Sequence, residues 1–217
     1  MSRLRVHNFV VSLDGYAAGE GQSREAGFGH AQPVFAHWFA ELRLWRGMDT
    51  DPDIGLNEAI ASGWGTRIGA EIMGRNKFRP TAGPWPASGW PGWWSEDAPF
   101  HTPCFVLTHY EKETIKVGDT TFHFVSGSPA EVLELARQAA GGLDVRLGGG
   151  PSTVNQFLAA GLVDYLHVIQ VPVLLGRGVP LWDGLEGLHA RYAIESVTVP
   201  SGATHLFFTR QGPDRAD

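Results

Sequence analysis

Three places in the 217-residue sequence combine residue types and spacing that could do chemistry. The first is Gly148-Gly149-Gly150, followed by Pro151-Ser152-Thr153. Glycines without Cβ let a ligand approach the backbone. A helix opened by Pro151 presents free N–H groups that favour an anion, typically a phosphate. The same glycines would also serve a tight strand-to-helix turn. The second place is Gly74-Arg75-Asn76, where the fixed guanidinium fork suits phosphate oxygens; a turn glycine beside a solvated arginine is the other reading. The third is Asp14-Gly15, at the end of a strand-like run. There a carboxylate could polarise or protonate a substrate, or simply make a turn. Two glycine-bearing strand ends in one sheet suit a dinucleotide, which carries a pyrophosphate and in some forms a ribose phosphate.

Other constellations lack their required context. Gly63-Trp64-Gly65-Thr66-Arg67-Ile68-Gly69 has one residue too many for the dinucleotide fingerprint and precedes a strand where it should follow one. Asp49, Asp51 and Asp53 imitate the start of a calcium loop, but Pro52 interrupts them, Ile54 replaces the turn glycine and Ile60 the final Glu. The nine His show no metal spacing, and His101-Thr102-Pro103-Cys104 lacks the second Cys of a deaminase zinc site, so no metal is expected. Ser12 and Ser152 have no nucleophile-elbow surroundings.

The elements that must position these residues follow from hydrophobic periodicity. Leu4–Leu13 reads as a buried strand, and residues 19–32 as a Gly-rich loop over the surface. From Pro33 the residues Phe35, Trp38, Phe39, Leu42 and Trp45 form one helical stripe that stops at Gly47; a shorter helix is expected over Asp53–Ser62. Arg67–Met73, Cys104–Thr108 and Phe122–Val125 read as strands. A long loop, 79–103, holds Trp85, Trp90, Trp93 and Trp94, which could stack a planar ring or pack beneath the loop. Ser128-Pro129-Ala130-Glu131 is a capped helix start, and that helix runs to Ala140. Val145–Leu147 is a strand, a helix runs from Pro151 to Ala160, and Tyr165–Leu175 is an apolar strand covered on both faces. Tyr192–Val199 and Thr204–Arg210 form a hairpin around Pro200–Ala203. The sum is a three-layer α/β domain with a mostly parallel central sheet and a C-terminal antiparallel hairpin. It is expected to fill 1–217 as one domain, with its core over about residues 3–210 and a loose tail at 211–217.

Composition bounds the partners. Hydrophobic residues make up 43% and charged residues 18%, which excludes a disordered chain. Gly (28) and Pro (14) are abundant without collagen-like period. The net charge of −6 and the absence of a basic run speak against nucleic acid, and no apolar stretch suits a membrane span. Cys104 is the single cysteine, so no internal disulfide can form. The N-terminus has no signal-peptide core, and a cytoplasmic location is expected.

The ordered set of short motifs resembles the dihydrofolate-reductase-like superfamily, and within it the reductase domain of the bacterial riboflavin deaminase-reductase and its stand-alone relatives. It comprises Ser12-Leu13-Asp14-Gly15, Ile72-Met73-Gly74-Arg75, Val106-Leu107-Thr108-His109, Leu147-Gly148-Gly149-Gly150 and Pro172–Trp182. The resemblance implies an NADPH-dependent reductase of a small heterocyclic or imine-like substrate, with 5-amino-6-(5-phosphoribosylamino)uracil reductase the likeness. A dihydrofolate or pterin reductase and a non-catalytic nucleotide-binding module are the alternatives. It further implies that Gly74, Arg75, Asn76 and Gly148, Gly149, Gly150, Pro151, Ser152, Thr153 hold the phosphates. Thr108 and His109, with Arg75, would face the adenosine 2′-phosphate, and Asp14 and Gly15 would border the nicotinamide. Asp14 is the expected catalytic group, and Trp38 and Glu41 the expected pocket wall. A homodimer is implied by the family. Asn8 departs from the Lys of the riboflavin-pathway enzymes, the acidic pair after Asn76 is missing, and Phe35 stands where folate reductases place an acid.

Overall fold

The computed structural model describes residues 2–41, 55–81, 83–86, 92 and 97–212, with the side chains of Glu41, Asn57 and Glu58 outside that description. The chain opens with β1 (Leu4–Ser12), β2 (Tyr16–Ala18) and α1 (Gln32–Glu41), then α2 (Leu56–Ala61), β3 (Ile68–Gly74) and the one-turn α3 (Arg75–Phe78). β4 (Pro103–Leu107), β5 (Ile115–Val117), β6 (Thr120–Val125), α4 (Pro129–Ala139) and β7 (Asp144–Leu147) follow. α5 (Pro151–Ala159), β8 (Tyr165–Val171), β9 (Val179–Pro180), β10 (Tyr192–Thr198) and β11 (Thr204–Arg210) complete the order.

Nine strands form one sheet in the order β10-β11-β8-β1-β7-β3-β4-β6-β5 among the described residues. The six from β8 to β6 are mutually parallel, while β5, β10 and β11 are antiparallel additions at the edges. The expected α/β fold with its terminal hairpin is therefore what forms. Helices cover both faces. On one, α4 and α5 lay Val132, Leu133, Val154 and Phe157 over Leu4, Ile72, Val145 and Leu166. On the other, Phe35 and Trp38 of α1 cover Val10, Ile169 and Val171, and a separate cluster joins Met73, Phe78, Cys104 and Phe122. α4 starts as its sequence dictates: Ser128 Oγ accepts from the Glu131 N–H, and the Glu131 carboxylate accepts from the Ser128 N–H at 2.8 Å.

Several expected boundaries move. β8 ends at Val171 where the apolar run continues to Leu175, because Pro172 cannot donate to a ladder. The short β2, β5 and β9 carry too few residues to show a period, and α3 is a single turn. The stop at Gly47, together with Leu42, Trp45, Trp90, Trp93, Trp94 and the tail from 213, lies outside the described residues.

β1 contains the irregularity that matters for the site. Leu4 and Val6 face the α4/α5 core, yet beyond them it is Phe9 and Val11 that do so. Side chains alternate along a strand, so this switch from even to odd positions requires one extra residue. The β1–β8 register shifts between Val6 and Phe9, and Asn8 has a positive φ of 53°. A bulge at His7-Asn8 thus re-aims both side chains. A β-branched residue is strained at that φ, whereas glycine adopts it freely. Asn8→Val is expected to be less stable than Asn8→Gly by about 1–2 kcal/mol. Urea unfolding of both variants measures this, and equal midpoints would refute it.

Candidate active site

A cavity of about 850 Å³ opens along the carboxyl ends of β1, β7, β3, β4 and β6. Ligands of open α/β sheets bind at this edge. Gly74, Arg75, Asn76, Thr108, His109 and the whole run Gly148–Thr153 line it, so residues far apart in sequence meet around one space. Two strand ends are locked together there: the Gly74 N–H donates to the Gly149 carbonyl at 2.7 Å. A Cβ on Gly74 would strike Thr153 Oγ1, so glycine is required by close packing as well as by any ligand. Gly149 sits at φ +108°, and a Cβ on Gly150 would meet nothing within 4 Å, which leaves its cavity side open. α5 begins immediately after this turn and points its N-terminus at the cavity rim.

Arg75 is held flat by aromatic rings. Its guanidinium carbon lies 4.2 Å from the Trp85 ring centroid and 5.0 Å from that of Tyr110, and Nη2 approaches Thr81 Oγ1 at 3.4 Å. Burial lowers its pKa, and Nε is buried with no hydrogen-bond partner. Thr108 is buried, and its hydroxyl caps the Tyr110 N–H at 3.1 Å, fixing the β4 exit beside Arg75.

Asp14 stands elsewhere. It does not line the cavity; its Oδ1 accepts from Ser12 Oγ at 2.6 Å and from the Leu175 N–H at 3.1 Å, and its Oδ2 from the Gly176 N–H at 2.7 Å. Burial acts to raise its pKa, but the hydrogen bonds from Ser12, Gly176 and Leu175 outweigh that and hold the carboxyl below its usual range. Gly15 also lies outside the cavity lining, against Trp182. Trp38 is in the core beneath α1, where its helix neighbour Phe39 takes the wall position. The Glu41 side chain lies outside the described residues.

Of the further lining residues, the sequence marked only Asn8, and as a departure from the family's Lys. His7 and Asn8 of the bulge, Lys77, Arg146, Trp64 and Phe100 all face the cavity. The Asn8 side-chain amide donates to the Ala61 carbonyl at 3.0 Å, and its Oδ1 is buried without a partner. The Asn8 N–H donates to His167 Nδ1 at 3.4 Å, which leaves the His167 proton on Nε2, donated to His205 Nδ1 at 2.9 Å. Burial, then the neighbouring His205, holds His167 at a pKa of about 3, so this pair is neutral. Glu71 and Arg146 each interrupt an apolar strand, and His7-Asn8 interrupt β1, but nothing in the sequence brings these positions together or shows the bulge. Among the described residues no group of three or more His, Cys, Asp or Glu could hold a metal, and no helix is long and apolar enough to cross a membrane.

A mostly parallel sheet with a cavity along its carboxyl edge and a terminal antiparallel hairpin is the architecture of the dihydrofolate-reductase-like fold class. The chain belongs to the RibD C-terminal domain family, whose model matches residues 6–205. Among solved structures it is similar to a riboflavin biosynthesis protein from Shewanella sp. PV-4, at 21% identity and a TM-score of 0.60, over 98% of this chain and 100% of that one. It is also similar to a pyrimidine reductase-like protein from Corynebacterium diphtheriae, at 15% identity and a TM-score of 0.51, over 97% of this chain and 92% of that one. Dihydrofolate reductase from Enterococcus faecalis, solved in complex with NADP(H) and RAB-propyl, shares 13% identity at a TM-score of 0.52, over 97% of each chain. At such identities the likeness establishes the fold. By sequence, no curated protein matches the chain.

The bonds to Asp14 make a pH prediction. A carboxyl whose folded pKa is depressed contributes stability above its unfolded pKa of roughly 4 and loses it as pH falls through the folded value. The stability gap between wild type and Asp14→Asn should be widest near neutral pH and close in acid. Urea midpoints across pH measure it, and a gap that persists in acid would contradict the assignment.

Proposed function

We propose that the protein is an NADPH-dependent reductase acting on a small heterocyclic or imine-like substrate, with the pyrimidine reduction of riboflavin synthesis as the nearest family activity. The observation that carries this reading is one cavity uniting the Gly74 and Gly148–Gly150 strand ends with Arg75 and the start of α5. The residues present fit a dinucleotide phosphate. Gly150 leaves open space where a side chain would project, and Arg75 keeps a buried, unpartnered Nε. Family membership and the resemblance to an NADP(H)-bound reductase fold support it further.

In this reading Gly148–Thr153 and the N–H groups opening α5 hold the pyrophosphate, and Gly74 and Asn76 flank it. Arg75, beside Thr108 and His109, holds the 2′-phosphate, a role suited to a guanidinium already packed against two rings. When bound, the cofactor supplies the reducing equivalents, and the protein supplies binding, orientation and exclusion of water. Phe9, Val10, Phe28 and Phe39 form an apolar wall at the β1 end that can keep a flat ring dry and aligned. A second reading, nucleotide binding without turnover, is favoured by one observation: both Asp14 carboxylate oxygens are occupied outside the cavity.

Titration with NADPH, followed by Trp fluorescence, tests the first reading; absence of saturable binding at sub-millimolar concentration would overturn it. Binding without oxidation across pterin, pyrimidine and imine substrates would select the second. Arg75→Ala should weaken NADPH roughly 10–100-fold, the worth of a charge-assisted hydrogen bond, and NADH far less. Equal losses for both would remove Arg75 from the 2′-phosphate.

A further inference from the structure

The floor of the cavity carries a charge arrangement that the cofactor reading leaves unused. Arg146 of β7 is 8% exposed and Glu71 of β3 is 1% exposed. Arg146 Nε donates to Glu71 Oε1 at 3.0 Å, while Glu71 Oε2 is buried without a partner. The guanidinium carbon lies 4.1 Å from the centroid of the Trp64 ring and 5.6 Å from that of Phe100. Lys77 sits next to this pair, with Nζ donating to the Gly148 carbonyl at 2.6 Å and lying 5.7 Å from the Phe100 centroid. Among the described residues no carboxylate comes within ion-pair distance of Lys77.

Two cations therefore face one carboxylate. Burial raises the Glu71 pKa against the pull of Arg146 and Lys77, so in either protonation state of Glu71 the positive charge is in excess. An uncompensated cation in a poorly solvated site is costly, and a bound anion removes that cost. His7, which lines the same cavity, feels Arg146 as well. Burial first, then the neighbouring Arg5, Arg146 and His167, lower its pKa to about 3, and its Nε2 is buried without a partner.

We propose that Lys77 and Arg146, beneath Trp64 and Phe100 and beside His7, form a subsite for an oxyanion, a carboxylate or phosphate borne by the substrate. Only the word substrate rests on the reductase reading; the subsite stands on the charge and geometry of the floor. It adjoins the pyrophosphate run at Gly148, to which Lys77 is bonded, and is separate from the Arg75 position, because Arg146 stacks on Trp64 and Phe100 whereas Arg75 stacks on Trp85 and Tyr110.

The groups acting on Lys77 are Arg146 on β7, Glu71 on β3 and the Cys104 thiol on β4. Burial, then Arg146, lowers its pKa to about 8, against the opposing pull of Glu71 and Cys104. Lys77 is thus cationic below about that pH, and oxyanion affinity should be full there and fall as pH rises through it.

Sulfate, whose charge is constant over this range, is the probe. It is titrated into the full chain by calorimetry and Trp fluorescence, with and without saturating NADP+. The expected result is saturable binding that weakens roughly 10–30-fold between about pH 7 and pH 9.5, survives NADP+, and survives Arg75→Ala. Lys77→Met should bind sulfate at neutral pH only as weakly as the wild type does in alkali, with no pH dependence. Should that variant not fold, the wild-type pH profile with the Arg75→Ala control decides alone. Absence of sulfate binding, displacement by NADP+, loss in Arg75→Ala, or a flat pH profile each overturns the subsite; a flat profile leaves Lys77 as an anchor for Gly148. If NADP+ does not bind while the Lys77-dependent sulfate site does, the reductase reading fails and the oxyanion site stands.

Discussion

The site depends on how closely the ends of β3 and β7 approach one another. The Gly74 N–H to Gly149 carbonyl bond at 2.7 Å draws them together, and Thr153 of the following helix fills the space where a Gly74 side chain would be. Lys77 adds a second tie, reaching from α3 to the Gly148 carbonyl. Because β3 and β7 are parallel neighbours, these ties put two glycine turns and two helix starts at one edge. The cavity exists between them because neither turn carries a side chain into it.

Parallel order then decides what the rest of the chain contributes. β7 is inserted between β1 and β3, so the first strand of the chain forms one wall and the exit of β4 the other. The bulge at His7-Asn8 turns the β1 wall from a simple apolar surface into one that also presents two unsatisfied polar atoms. His167 and His205, stacked with ring centroids 5.1 Å apart, support it from two strands beyond the cavity.

Much of this was legible in the sequence, and the reasons differ by element. Strands with near-continuous apolar runs, the capped start of α4 and the Gly-Gly-Gly-Pro turn announce themselves through local chemistry, and their assembly into an α/β sheet follows. The residues lining the glycine-rich end of the cavity could be named because glycine between a strand end and a helix start, whether it serves a tight turn or a close ligand, lies at the carboxyl edge of the sheet. The polar floor was not legible. Glu71, Lys77 and Arg146 lie on three different elements, and only the register that sets Glu71 opposite Arg146 turns them into a cluster. The bulge was equally hidden, since one inserted residue reverses a side-chain face without altering the composition of the strand. Trp38 illustrates a further limit: a helical stripe identifies which face is buried, but not which of its residues meets the cavity and which the core.

The Asp14 latch has a consequence for how chains of this fold are compared. By accepting from the N–H groups of residues 175 and 176, Asp14 fastens the first strand's exit to the segment that leads into β9, and β9 in turn pairs with β2. The short motif around Asp14-Gly15 is therefore a fastening between two stretches some 160 residues apart in the chain. A sequence comparison keyed to it registers a closure of the backbone and not a group that touches the cavity. In this chain the charged groups Glu71, Lys77 and Arg146 and the bulge at His7-Asn8 lie apart from that fastening.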